Sequence, residues 1–125
     1  MESITTDQAP ASVGPYSQAI KVGNFLFCSG QIGIVPGTKE FAGDDIQRQA
    51  RQAMKNITAV LDAACFRLDH IAKTTVFLAD MRDFPAFNQI YAELLGPHKP
   101  ARSTIQAASL PLGALVEIEC VAVRE

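Results

Sequence analysis

DDIQRQARQAMKNITAVLDAA, residues Asp44–Ala64, is the stretch that decides the fold. Ile46, Ala50, Ala53, Ile57, Val60, Leu61 and Ala64 recur at steps of three and four, and Arg48, Arg51, Lys55 and Asp62 fall on another face. That spacing predicts an amphipathic helix over 44–64 with one apolar stripe. Asp44 reads as its N-cap, with Gln47 three residues on completing a capping box. A helix with one apolar stripe needs a layer to bury it against, and its neighbours in sequence supply strands. Ile71–Leu78 is rich in β-branched and aromatic residues (Thr74, Thr75, Val76, Phe77) and reads as a strand. A second helix is expected from Asp83 to Leu95, with Phe87, Ile90, Tyr91, Leu94 and Leu95 as its stripe and Gly96-Pro97 as its stop.

Towards the N-terminus, Ser17–Val22 and Phe25–Ser29 read as strands joined by Gly23-Asn24, a two-residue hairpin signal. Ile32–Val35 reads as a short strand before the Pro36-Gly37 turn, and residues 1–14 as an arm or coil. At the other end, Ser103–Ser109 and Leu115–Arg124 read as a strand pair turned by Pro111-Leu112-Gly113. The order is β-β-α-β-α-β-β. It predicts an α+β fold, a mixed β-sheet with two helices packed on one face. Each helix is expected to cross between parallel neighbours, and each terminal strand pair to form a hairpin. No helix remains for the other sheet face, which must meet water, a ligand or another subunit.

The 125 residues form a single domain, 1–125. Charged residues make up only 19%, which leaves surface for a partner subunit. A net charge of −2 with no run of Lys or Arg disfavours a nucleic-acid surface. Cys28, Cys65 and Cys120 form no C-x-x-C pair, so three buried, reduced thiols are expected rather than a zinc site or a disulfide framework. There is no basic-then-apolar leader and no apolar run near the ~20 residues of a membrane span. A soluble, cytoplasmic protein is expected.

No G-x-S-x-G, G-x-x-x-x-G-K or H-E-x-x-H pattern occurs, and His70 and His98 read as surface residues. Two residues stand out instead. Arg102 heads the first C-terminal strand and is a ready bidentate clamp for a carboxylate. Glu117 lies in the second and is a ready base for a water. Alternation puts Leu115, Glu117, Glu119, Val121 and Val123 on one face and Val116, Ile118, Cys120 and Ala122 on the other. Taken locally, Arg102 reads first as a surface residue or ion-pair partner, and the two glutamates equally as a solvated half-strand. Tyr16 and Asn88 likewise have ordinary readings, as a packed aromatic and a polar helix position.

Five segments taken together carry more. Gly14-Pro15-Tyr16-Ser17-Gln18-Ala19, Ser29-Gly30-Gln31-Ile32, Lys73-Thr74-Thr75-Val76-Phe77-Leu78, Pro100-Ala101-Arg102-Ser103 and Glu117-Ile118-Glu119 occur in this order. The chain resembles, over nearly its whole length, the YjgF/Rid family of reactive-intermediate (enamine/imine) deaminases. That resemblance implies a chorismate-mutase-like fold, a homotrimer with clefts between subunits, and hydrolysis of 2-imino acids such as 2-iminobutanoate and 2-iminopropanoate to the 2-oxo acid and ammonia. It implies no cofactor and no metal. By the same resemblance Arg102 binds the substrate carboxylate, Glu117 activates water, and Tyr16 lines the cleft. Ser29 and Gly30 are the small pair beside the substrate, and Asn88 is the polar residue of the second helix near it. Thr104 stands where many members have cysteine, leaving its backbone to meet the substrate. Members of the family have also been described as translation inhibitors, endoribonucleases or chaperone-like regulators, so a binding role for a small carboxylate is the alternative reading.

Overall fold

The computed structural model describes residues 1–125. Six strands, β1 (Glu2–Ile4), β2 (Ala19–Val22), β3 (Phe25–Ile32), β4 (Ile71–Leu78), β5 (Ala101–Gln106) and β6 (Val116–Val123), form one sheet in the order β1-β2-β3-β6-β4-β5. Only β4 and β5 are parallel. Two helices, α1 (Ile46–Ala63) and α2 (Phe84–Leu95), pack on the same face. The α+β reading, the Phe25 hairpin and the β4 boundaries hold as expected.

The core follows from the periodicities. Ile57, Val60, Leu61 and Ala64 cover Leu26, Cys28, Ile71, Cys120 and Ala122 at one end of the sheet. Ile46, Ala50, Ala53 and Met54, with Phe87, Ile90, Tyr91 and Leu95 of α2, cover Val76, Leu78, Val116 and Ile118 at the other. Removing these side chains from water is the main driving force for the fold. Buried amides tie the irregular segments to it. Gln49 bridges the Gly43 carbonyl and the Leu115 amide, and Asn56 donates to the carbonyls of Ile32 and Ile34. Gln18 holds the N-terminal arm, receiving the Thr6 amide and donating to the Thr6 and Pro10 carbonyls. The first residues of that arm add β1 to the sheet, beyond the arm or coil expected.

The last strand pair departs from expectation. β5 and β6 are not a hairpin: β5 lies beside β4 at the sheet edge, and β6 lies between β3 and β4. The first helix therefore links strands that are parallel but not adjacent. The reason is composition. Val116, Ile118, Cys120 and Ala122 are almost wholly buried, which suits a central strand, whereas Ala-Arg-Ser-Thr-Ile-Gln suits an edge.

Smaller differences have local causes. The α1 N-cap is Asp45, not Asp44, because the Asp45 carboxylate accepts the Arg48 amide (2.8 Å) and pairs with the Arg48 guanidinium, so the Asp44–Gln47 box does not form. Ile32 closes β3, and Ile34 makes only an isolated bridge to Phe41 in place of a separate strand. Cys28 and Cys120 are buried, free and directly paired across β3 and β6, but Cys65 is exposed. It takes a left-handed conformation (φ 63°) just after α1, where the chain turns out of the helix.

Candidate substrate site

β5 runs along the sheet edge beside α2, and its register sets the site. Arg102 pairs with Thr74 and Thr104 with Val76 on β4. Thr74 and Val76 are buried beneath the helices, so Arg102 and Thr104 face α2. The half-buried Arg102 guanidinium lies 4.9 Å from the Tyr91 ring centroid and 5.4 Å from that of Phe84, and Nη1 donates to Asn88 Oδ1 (2.8 Å). Phe84, Asn88 and Tyr91 succeed one another at steps of four and three on α2, so one helical stripe makes this cradle. The Tyr91 hydroxyl is fixed by a 2.7 Å bond with Thr74 Oγ1, and burial pushes its pKa up. His98 Nε2 donates to the Ile71 carbonyl (2.7 Å) and anchors the loop that leads into β5.

Arg102 has no carboxylate partner. The ion pairs of the chain belong to Arg48, Arg51, Arg67 and Arg82. A half-buried guanidinium that meets one neutral amide and two ring faces keeps donors for a planar anion. The surface ion-pair reading of Arg102 does not describe this geometry.

Glu117 sits on the other side of the sheet. Its cross-strand neighbours are Ile32 and Phe77, and its carboxylate lies over Gly30. A bulge between Cys28 and Gln31 places Ser29 and Gly30 here, where the register of β3 on β6 shifts. Burial, and then the charge of Glu119, raise the Glu117 pKa above the ordinary carboxylate value. Ser29 donates to the Ser17 carbonyl (2.6 Å) and its amide to the Gln18 carbonyl, so the segment carrying Tyr16 is tied to this bulge. Tyr16 itself is exposed.

Two groups of expected residues therefore come together separately. Arg102, Asn88 and Thr104 face α2. Glu117, Gly30 and Ser29 gather at the bulge and the open face, with Tyr16 on the adjoining segment. Within one chain the sheet stands between Arg102 and Glu117. That face also carries Phe25 and Phe27, stacked with centroids 6.1 Å apart and 46% and 47% exposed. An open concavity of about 550 Å³ lies elsewhere, between the N-terminal arm and α1, lined by Thr6, Gln8, Lys55 and Asp62 among others. Phe84, Tyr91 and Thr74 stand beside Arg102 and were not among the residues expected at the site. The 84-88-91 spacing could have pointed to the first two, but only Tyr91 was singled out there, as part of the apolar stripe.

The model of the family described as Endoribonuclease L-PSP matches residues 6–124. A RutC family protein of Pyrococcus horikoshii is 50% identical over 124 residues, covering 99% of this chain and 98% of its own. A Mus musculus protein named 2-iminobutanoate/2-iminopropanoate deaminase is 43% identical, covering 97% and 90%. The crystal structure of E. coli TdcF with bound serine superposes with a TM-score of 0.96 at 39% identity, covering 100% of both chains. Sheet order, bulge, edge-strand arginine and these likenesses over the full length agree, and the chain belongs to the YjgF/Rid family, the endoribonuclease L-PSP proteins.

Proposed function

We propose that the protein hydrolyses small 2-imino acids to 2-oxo acids and ammonia, in clefts formed between the subunits of a homotrimer. The observation that carries this reading is Arg102, a half-buried cation with no carboxylate of its own, cradled by Asn88, Phe84 and Tyr91. Its relatives point the same way, one named an imine deaminase and one holding serine, a small carboxylate. Because Arg102 and Glu117 occupy opposite sides of the sheet, one subunit supplies the carboxylate clamp and its neighbour the base. The exposed Phe25 and Phe27 fit burial against such a neighbour.

In the reaction, Arg102 fixes the substrate carboxylate and so presents C2 to water. Glu117 removes a proton as the water oxygen bonds to C2, and the imine π-electrons pass to nitrogen. From the protonated imine this gives a neutral carbinolamine. Glu117 then returns its proton to the nitrogen, the C–N bond breaks with its electron pair leaving on ammonia, and the hydroxyl oxygen forms the C2 carbonyl as its own proton passes to water, leaving the 2-oxo acid. A carboxylate with a raised pKa is a better proton acceptor than an ordinary one. The Tyr16 and Ser29–Gly30 segments line the Glu117 side. A reaction of this kind draws on no metal or cofactor.

The test is a pyridoxal-phosphate-dependent dehydratase assay that releases 2-imino acids. Wild-type protein accelerates 2-oxobutanoate and ammonia formation, and Arg102→Ala abolishes the acceleration. Equal rates with and without the protein would reject the activity.

A further inference from the structure

Along the α2-facing side of β5, Arg102, Thr104 and Gln106 form a polar row. The outer two have partners: Arg102 donates to Asn88, and Gln106 Oε1 accepts the Met81 amide (2.8 Å). The middle one does not. Thr104 Oγ1 is enclosed and makes no hydrogen bond, and no other buried side-chain nitrogen or oxygen in the chain is left in that state. Folds seldom leave a buried hydroxyl unpaired, because it loses its water and gains nothing in return. Here the orphan lies two residues from an anion-ready arginine, a spacing of about 7 Å along the strand.

Threonine carries a second device. Its Cβ bears a hydroxyl and a methyl of similar size, and a χ1 step of about 120° exchanges them. In the rotamer present the hydroxyl is enclosed. A step to another puts the methyl in its place and frees the hydroxyl to turn elsewhere. A carboxylate held by Arg102 still has free lone pairs on both oxygens after two-point contact. We propose that Thr104 is a ligand-recruited donor: a small 2-imino or 2-oxo carboxylate on Arg102 draws the Thr104 hydroxyl out of its slot to bond a carboxylate oxygen, and the methyl takes its place. This rests on the reading of Arg102 as the carboxylate clamp. It makes Thr104 a specificity residue through its side chain, beyond any backbone contact, and makes the ligand-free state bear the cost of an unpaired group.

That cost gives the proposal a signature which a purely structural threonine lacks. Thr104→Val keeps the shape and removes the orphan, so it stabilises the ligand-free protein and weakens binding at once. Calorimetry with 2-oxobutanoate as the probe, and thermal melts without it, read both. Thr104→Val is expected to raise Tm by about 3 °C and Kd about tenfold. Thr104→Ser keeps the hydroxyl and is expected to hold Kd within about twofold of wild type. A Thr104→Val protein that binds as wild type does, while Arg102→Ala loses binding, overturns the role of the hydroxyl and leaves the clamp standing. A lowered Tm in Thr104→Val overturns it too, since the hydroxyl would then be paired in solution. Wild-type protein that binds no 2-oxobutanoate, or Arg102→Ala that binds it equally well, overturns the clamp itself.

Discussion

Glu117 folds its side chain across Gly30, so closely that a Cβ at residue 30 would stand 2.6 Å from Oε2 and 2.8 Å from the carboxyl carbon. Gly30 is outside the left-handed region, so alanine there costs little in backbone terms and acts by displacing the carboxylate. Gly30→Ala is expected to lower kcat/KM by about tenfold or more with little change in Tm. In a Glu117→Ala background the same change has no further effect on rate, and a double-mutant cycle measures that coupling. Additive losses would mean that Gly30 contacts the substrate instead.

Arg102→Lys keeps the charge and loses the planar fork and the ring contacts to Phe84 and Tyr91. Its kcat/KM is expected to fall by about 100-fold, near that of Arg102→Ala. Asn88→Ala leaves the guanidinium present but less well held, and a loss of about tenfold is expected. Steady-state kinetics on 2-iminobutanoate generated in the assay separates these cases. A lysine variant near wild-type rate would show that charge alone suffices.

As the proposed base, Glu117 must be ionised to work, and burial with repulsion from Glu119 raises its pKa. The acid limb of the kcat/KM profile therefore lies above the ordinary carboxylate range. Glu119→Gln removes one of the two causes and moves that limb to lower pH, though not to the ordinary value, because burial persists. Stability follows the same sign. A carboxyl whose folded pKa exceeds its unfolded one favours the fold when protonated and loses that contribution as pH rises through the folded pKa. Glu117→Gln is expected to raise Tm at neutral pH and to leave it unchanged near pH 3, where both states are protonated. Melts at the two pH values check the difference.

If clamp and base come from different subunits, two dead variants rescue one another. Arg102→Ala and Glu117→Ala, unfolded together and refolded as mixed trimers, should regain about one quarter of wild-type activity, since random assembly pairs an intact Arg102 with an intact Glu117 at about one site in four. Each variant refolded alone stays inactive. No recovery in the mixture, with mixed assembly shown by mass spectrometry of tagged chains, would place both residues in one subunit.

What the sequence made legible was local. β4 falls on its expected residues, α2 begins one residue late, and the alternation in Val116–Val123 assigns Glu117 and Ile118 to the correct opposite faces. Strand neighbours are not local. Nothing in Ser103–Arg124 says that β6 inserts between β4 and β3 instead of pairing with β5, so the hairpin reading failed and the Thr74–Arg102 register is what assigns Arg102 its side of the sheet. Cys65 was misplaced for a related reason: its residue type favours burial, and its position in the turn after α1 overrides that preference. Tyr91 read as core because a stripe shows which residues face the sheet, not that a guanidinium waits there.

The place of β6 also bears on how the chain is made. Residues 116–123 are the wedge that joins β1–β3 to β4–β5, and neither half pairs with the other directly. During synthesis the two halves must wait, each with an unpaired inner edge, until this wedge has cleared the ribosome. Closing the sheet then depends on contacts between residues far apart in sequence, such as Phe25 with Val123, a topology that slows folding and lengthens the time that the edges stay open to chaperones or to aggregation.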